Sequence, residues 1–134
     1  MREEYVNLEE LEIANSGTQY LRLSRPFKYL ENSFSFNVDV CSRGFAFRGE
    51  LFFDNILSNI LELEEMDKTL KGSTTLKEFY MESFIKFEMM ELGHLNIEIF
   101  ISDLESDNHL KLSFASDQTQ LKKIISFLRS SIRN

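Results

Sequence analysis

The chain has 134 residues, 43% of them hydrophobic, and a formal net charge of −7. That length supports one domain over residues 1–134 whose core needs no disulfide or metal staple. Composition also excludes several classes: no stretch approaches the roughly 18 apolar residues of a membrane helix, and the acidic balance argues against a binder of phosphate backbones, which needs clustered Lys and Arg.

Thirteen phenylalanines and one proline predict a core of Phe, Leu and Ile on long regular elements. Cys41 has no second cysteine to pair with, and the start "MREEYVNLEELEI" lacks the basic and apolar regions of a signal peptide. Together they predict a reducing, cytoplasmic setting.

Residues 1–33 form the least regular part. Leu8, Leu11 and Ile13, then Tyr20, Leu21 and Leu23, predict an opening strand pair around "NSGT", ended by Pro26. From Phe34 the period sharpens to two, with Phe34, Phe36, Val38 and Val40 alternating with Ser35, Asn37, Asp39 and Cys41. Phe45, Phe47 and Leu51 share the inward parity of the next strand. Facing both sets to one core suggests Val40 opposite Phe45, Val38 opposite Phe47 and Asn37 opposite Arg48, with a turn through Ser42, Arg43 and Gly44.

Ile56, Leu57, Ile60, Leu61 and Leu63 then fall at helical spacing behind Asp54 as a cap, and Gly72 turns the chain out. The first helix is expected over about 54–67. Strands over 76–81, 84–90 and 95–102 follow. A two-residue loop at Gly93-His94 would oppose Glu88 to Ile99 and put a carboxylate in an apolar row. A three-residue loop Glu91-Leu92-Gly93, with Gly93 left-handed, instead opposes Met89 to Leu95, Phe87 to Ile97 and Ile85 to Ile99. It also sets Lys86 opposite Glu98 and Phe84 opposite Phe100, both favourable pairs.

The last strand, over 109–115, turns Leu110, Leu112 and Phe114 inward and hairpins with 95–102 across "DLESDN". Leu121, Ile124, Ile125, Leu128 and Ile132 give the stripe of a C-terminal helix over about 118–132. Asp117 and Gln120 read as its capping box, Asp117 accepting helix amides while Gln120 reaches back. No internal repeat or linker is visible. Strands, helix, strands, helix predicts an α+β fold: one antiparallel sheet of about six or seven strands built from hairpins, with both helices on one face.

No residue constellation points to chemistry. Cys41, His94 and His109 fall at hairpin margins without an oxyanion feature, so they do not read as a nucleophile and its base. No metal ligands stand at useful spacing, and "SDLESDN" lacks the glycine and the bidentate glutamate of a helix-flanked calcium loop. Glycine-rich phosphate loops are absent. No cofactor, metal or catalytic residue is expected.

Charge is distributed unevenly. Asp54, Glu62, Glu64, Glu65 and Asp67 face only Lys68 within 54–70, and Glu98, Asp103, Glu105 and Asp107 face no Lys or Arg within 93–109. The segment 110–134 is basic through Lys111, Lys122, Lys123, Arg129 and Arg133. Separate acidic and basic surfaces are expected, either as solvated faces or as a partner surface. A second feature is apolar. The sheet face away from the helices carries Ala46, Phe52, Phe84, Met90 and Phe100. It is either covered by the N-terminal segment with Tyr5, Leu8, Tyr20 and Phe27, or left open as a homodimer or partner interface or, less readily, a ligand pocket.

From about Phe34 to Ile132 the chain resembles a bacterial domain family of unknown function related to the WapI-type immunity proteins. The resemblance rests on "FSFNVDV" and "FAFRGELFF", a Leu-rich helix, "KGSTTL", "GHLNIEI" and "LSFASDQTQL", of which Gly93-His94 and Asp117-Gln118-Thr119 with Leu121 are the more specific. It implies a small cytoplasmic antidote that binds a cognate toxin domain, often a nuclease, and blocks its site without catalysis. Charge, not the family, then places the contact at Glu62, Glu64, Glu65 and Asp67 and at Asp103, Glu105 and Asp107, because a nuclease is basic near its phosphate site. The alternative is an interaction module that homodimerises through Phe52, Phe84, Met90 and Phe100.

Overall fold

Among the described residues, four strands and a helix are followed by four strands and a helix again. The computed structural model describes residues 10–16, 18–78, 81–103 and 105–133. β1 (Glu10–Ser16), β2 (Gln19–Leu30), β3 (Ser33–Ser42) and β4 (Phe45–Phe53) form one antiparallel sheet in sequence order. After α1 (Ile56–Thr69), β5 (Ser73–Lys77), β6 (Phe84–Met89), β7 (His94–Asp103) and β8 (Asn108–Asp117) form a second, also in order, and α2 (Gln120–Arg133) closes the chain.

The α+β class and antiparallel hairpins match expectation, but two four-stranded sheets replace the single sheet of six or seven. Side-chain alternation fixes which face of a strand is buried, and both arrangements bury the same residues. Only long-range placement separates them. The sheets meet at their edges, through an isolated bridge between Phe53 and Glu78 and an Asp54 amide donating to the Lys77 carbonyl at 3.2 Å. At the other margin the Asn15 side chain donates to the Ala115 carbonyl at 3.0 Å. The helices do not share one face of one sheet either: α1 packs on β5 and on α2, while α2 reaches back to β1 and β2.

One core unites these parts. Leu21, Leu23, Phe36 and Val38 of the first sheet, Ile85, Phe87, Ile97 and Ile99 of the second, and Ile60, Leu63, Ile124 and Phe127 of the helices are all buried within it. Phe36 and Phe127 lie 5.5 Å apart, tying the first sheet to the last helix. The architecture therefore repeats although the sequence shows no repeat, because the halves share only hydrophobic periodicity. Their second strands differ twofold in length, 12 residues in β2 against 6 in β6.

Local details both follow and correct the expected pairing. At β6–β7 every expected pair is present, from Met89–Leu95 to Phe84–Phe100, and Gly93 at φ 77 closes the turn. At β3–β4 the parity is right but the register differs by two residues: Val40 faces Phe47, Val38 faces Gly49, and Asp39, not Asn37, faces Arg48. The turn holds only Arg43 and Gly44, both at positive φ (53° and 94°), the form that suits two-residue hairpins. Phe45 is consequently carried to the hairpin tip, 65% exposed, instead of into the core.

Pro26 does not end β2. It sits in an irregularity between Ser24 and Phe27, next to Arg25 at φ 52, and pairing with β3 resumes beyond it. Both helices begin two residues later than expected. Asn55, in a left-handed conformation, precedes α1 without a side-chain cap, while Asp54 accepts the Ser33 hydroxyl at 2.9 Å. No capping box starts α2. Asp117 remains in β8 opposite His94 and accepts the Thr119 amide at 2.9 Å, together with the Thr119 hydroxyl. Gln120 Oε1 is buried and meets no donor among the described residues.

Candidate functional site

The two acidic stretches lie at opposite ends of the second sheet. α1 ends at Thr69, and Gly72 just beyond it accepts the Met89 amide at 2.9 Å, beside the β6–β7 turn. Asp103, Glu105 and Asp107 sit in the β7–β8 loop at the far end of the ten-residue β7. At about 3.3 Å per residue, β7 itself spans roughly 30 Å.

On α1 three of the four carboxylates are engaged. Arg129 grips Glu64 with both arms of its guanidinium, Nε to Oε2 at 3.0 Å and Nη2 to Oε1 at 2.9 Å. Lys122 meets Asp67 at 2.8 Å. The acidic helix and the basic C-terminal segment thus neutralise one another, so the two are not separate charged surfaces there. Glu62 accepts the buried Thr74 hydroxyl at 2.6 Å, and the Asn59 amide donates to Thr74 Oγ1 and to the Thr75 carbonyl, both at 2.8 Å. These groups floor an open polar recess of about 440 Å³ between α1 and β5. Glu65 is exposed.

The β7–β8 loop differs. Asp103 accepts the amides of Glu105 and Ser106 (3.1 and 3.4 Å) and the Ser106 hydroxyl. The Ser106 hydroxyl first, and the two amides after it, hold the Asp103 carboxyl below the ordinary aspartate range, so it stays ionised. Glu105 and Asp107 are exposed, with Asp107 3.5 Å from His109. No Lys or Arg pairs with any of the three among the described residues.

The proposed dimer residues are split between sheets. Phe52 packs edge-on against Tyr29 at 5.2 Å in the first sheet. In the second, Phe84, Phe100 and His109 stack in a row with both centroid separations at 5.6 Å. Met90 is exposed just past the opposite end of β6 from Phe84, at the β6–β7 turn. Tyr5 and Leu8, expected to cover this face, lie outside the described residues. Tyr20 instead extends the first sheet in β2 under the Arg22 guanidinium, 4.2 Å from its ring centroid, and Phe27 is exposed.

Cys41 belongs to the first sheet, while His94 and His109 stand at opposite ends of the second. Among the described residues no three His, Cys, Asp or Glu side chains converge to hold a metal, and no helix is long and apolar enough to cross a membrane. One feature escaped sequence reasoning: Leu92 occupies the β6–β7 turn at φ 62 and is 94% exposed. A leucine where asparagine or glycine is the ordinary choice was its one visible signal.

The fold has a solved counterpart. A crystal structure of Trypanosoma brucei MRP1/MRP2 matches with a TM-score of 0.58 over 98% of this chain and 89% of that chain, at 10% identity. At that identity the likeness is one of fold. No family model matches the chain, and no curated relative does.

Proposed function

We propose that the protein is a non-catalytic binding protein that takes a basic protein partner on its β7–β8 loop, in the manner of the immunity proteins its sequence resembles. The observation that carries this reading is the difference between its two acidic groups. Glu64 and Asp67 are neutralised by Arg129 and Lys122, whereas among the described residues no Lys or Arg meets Asp103, Glu105 or Asp107, and only the His109 imidazole stands near Asp107. A carboxylate loop free of internal cations steers and holds a cationic surface such as that around a nuclease site. Glu62 and Glu65 on α1, away from the loop, are then secondary. The partner is a toxin domain and the setting is the bacterial cytoplasm on this reading, and both rest on the resemblance.

The test is capture of the toxin domain encoded beside the gene by the wild-type chain and by a variant with Asp103→Asn, Glu105→Gln and Asp107→Asn. Wild type should bind and protect cells, with affinity falling steeply as salt rises. The loop variant should do neither. Equal binding by both would reject the loop as the contact, and no binding by wild type would reject the immunity reading.

A further inference from the structure

We infer that the free edge of β4 pairs with β4 of a second copy of this chain, antiparallel and centred on Gly49. Among the described residues no strand pairs with this edge between Ala46 and Glu50, since β4 ends its sheet and meets the second sheet from Phe52 onward, around the Phe53–Glu78 bridge. Its backbone groups alternate in direction. The Asp54 amide donates to Lys77 and the Phe52 amide to Glu78, both away from β3. Two and four residues earlier, the Glu50 and Arg48 amides therefore point the same way, outward from the edge.

The side chains select one register. With Gly49 facing its own copy, Arg48 lies opposite Glu50 of the second chain and Glu50 opposite its Arg48, and the pairing stops short of Phe52, whose amide is taken by Glu78. Each Arg48–Glu50 pair can then exchange both of its backbone hydrogen bonds. Sliding by one residue pair sets Arg48 against Arg48, and sliding the other way sets Glu50 against Glu50, both repulsive. Arg48 is free to reach across, with an 81% exposed side chain that only grazes Asp39 at 3.5 Å.

Gly49 suits the two-fold position. The Phe47 ring folds over it, 2.7 Å from where a Cβ would stand, so only glycine fits there without displacing the ring. The other edges lack this symmetry. β5 spans five residues, and β1 and β8 run beside one another at Asn15 and Ala115. A single strand-to-strand contact buries little area, so the association is expected in the micromolar range. It is independent of the acidic loop.

Sedimentation equilibrium on wild type, Arg48→Glu and Glu50→Arg tests it. Wild type should show a concentration-dependent dimer of the 15.8 kDa chain, and each single variant should raise the dissociation constant by about tenfold or more. Mixed in equal amounts, the two variants should recover a heterodimer, because the carboxylate introduced at position 48 of one chain then faces the guanidinium introduced at position 50 of the other. Recovery also shows that both variants are folded. Independently of any variant, hydrogen exchange at the Arg48 and Glu50 amides of wild type should slow as concentration rises. A wild-type chain that stays monomeric at hundreds of micromolar overturns the proposal, as does a dimer that neither variant weakens.

Discussion

Arg129 on α2 holds Glu64 on α1 through two parallel hydrogen bonds of 2.9 and 3.0 Å, with both side chains about one-third exposed. Bidentate geometry is the favourable case for an ion pair, and partial exposure limits its strength. A double-mutant cycle on Glu64→Gln and Arg129→Met, read by urea denaturation, should give a coupling of about 1 kcal/mol. If Glu64 is structural, its removal should lower stability while leaving partner affinity within about twofold, which a binding isotherm checks.

The two halves of the chain are interlocked through Phe127, which is buried and lies against Phe36 in the first sheet. Phe127→Ala removes a ring from a shared core and should cost about 3–5 kcal/mol. One core also implies one cooperative transition, so fluorescence and circular dichroism should report the same urea midpoint for the wild type. Two separated transitions would mean that the halves fold independently.

Backbone strain at the β6–β7 turn gives two opposite expectations. A Cβ at Gly93 would stand 2.7 Å from Gln118 Oε1, at a φ of 77° that side chains disfavour. Gly93→Ala should therefore destabilise by about 1–2 kcal/mol. Leu92, at φ 62 and exposed, makes no core contact that would repay its conformation. Leu92→Asn should raise stability by about 0.5–1 kcal/mol, measured by thermal melting.

Acid should destabilise the fold through identifiable groups. The Thr119 hydroxyl, then the Thr119 amide and more weakly Lys123, hold the Asp117 carboxyl below its ordinary range. A depressed folded-state pKa means that this stability is present above the unfolded value and lost as pH falls through the folded one. Asp103 acts in the same direction. Glu78 acts in the opposite one: burial raises its pKa despite the Phe52 amide and the Ser83 hydroxyl, so its ionisation costs stability as pH rises through that raised value. Melting between about pH 3 and pH 7 should show Asp117→Asn flattening the acid limb and Glu78→Gln gaining stability at neutral pH.

Most strands and both helices were legible because alternation and helical spacing are local signals. The β6–β7 register was legible too, since only one loop length kept Glu88 out of the apolar row. What was not legible depended on long-range placement. The division into two sheets leaves every inward residue inward, and the shift at β3–β4 keeps its parity while moving Phe45 to the tip. The capping box failed because Asp117 is still paired with His94 in β8, so its carboxylate turns the chain at Thr119 before the helix begins. Among the acids, composition could not show that Arg129 and Lys122 fold back onto Glu64 and Asp67.

The acidic β7–β8 loop as the contact for a basic partner is most directly tested by calorimetric titration of the toxin domain proposed as that partner. Wild type, the Asp103→Asn/Glu105→Gln/Asp107→Asn variant and a Glu64→Gln/Asp67→Asn variant should be compared at low and high salt. The account predicts tight, salt-sensitive binding by wild type and the α1 variant, and a loss of about a hundredfold or more for the loop variant. Equal affinity for the loop variant and wild type would contradict it.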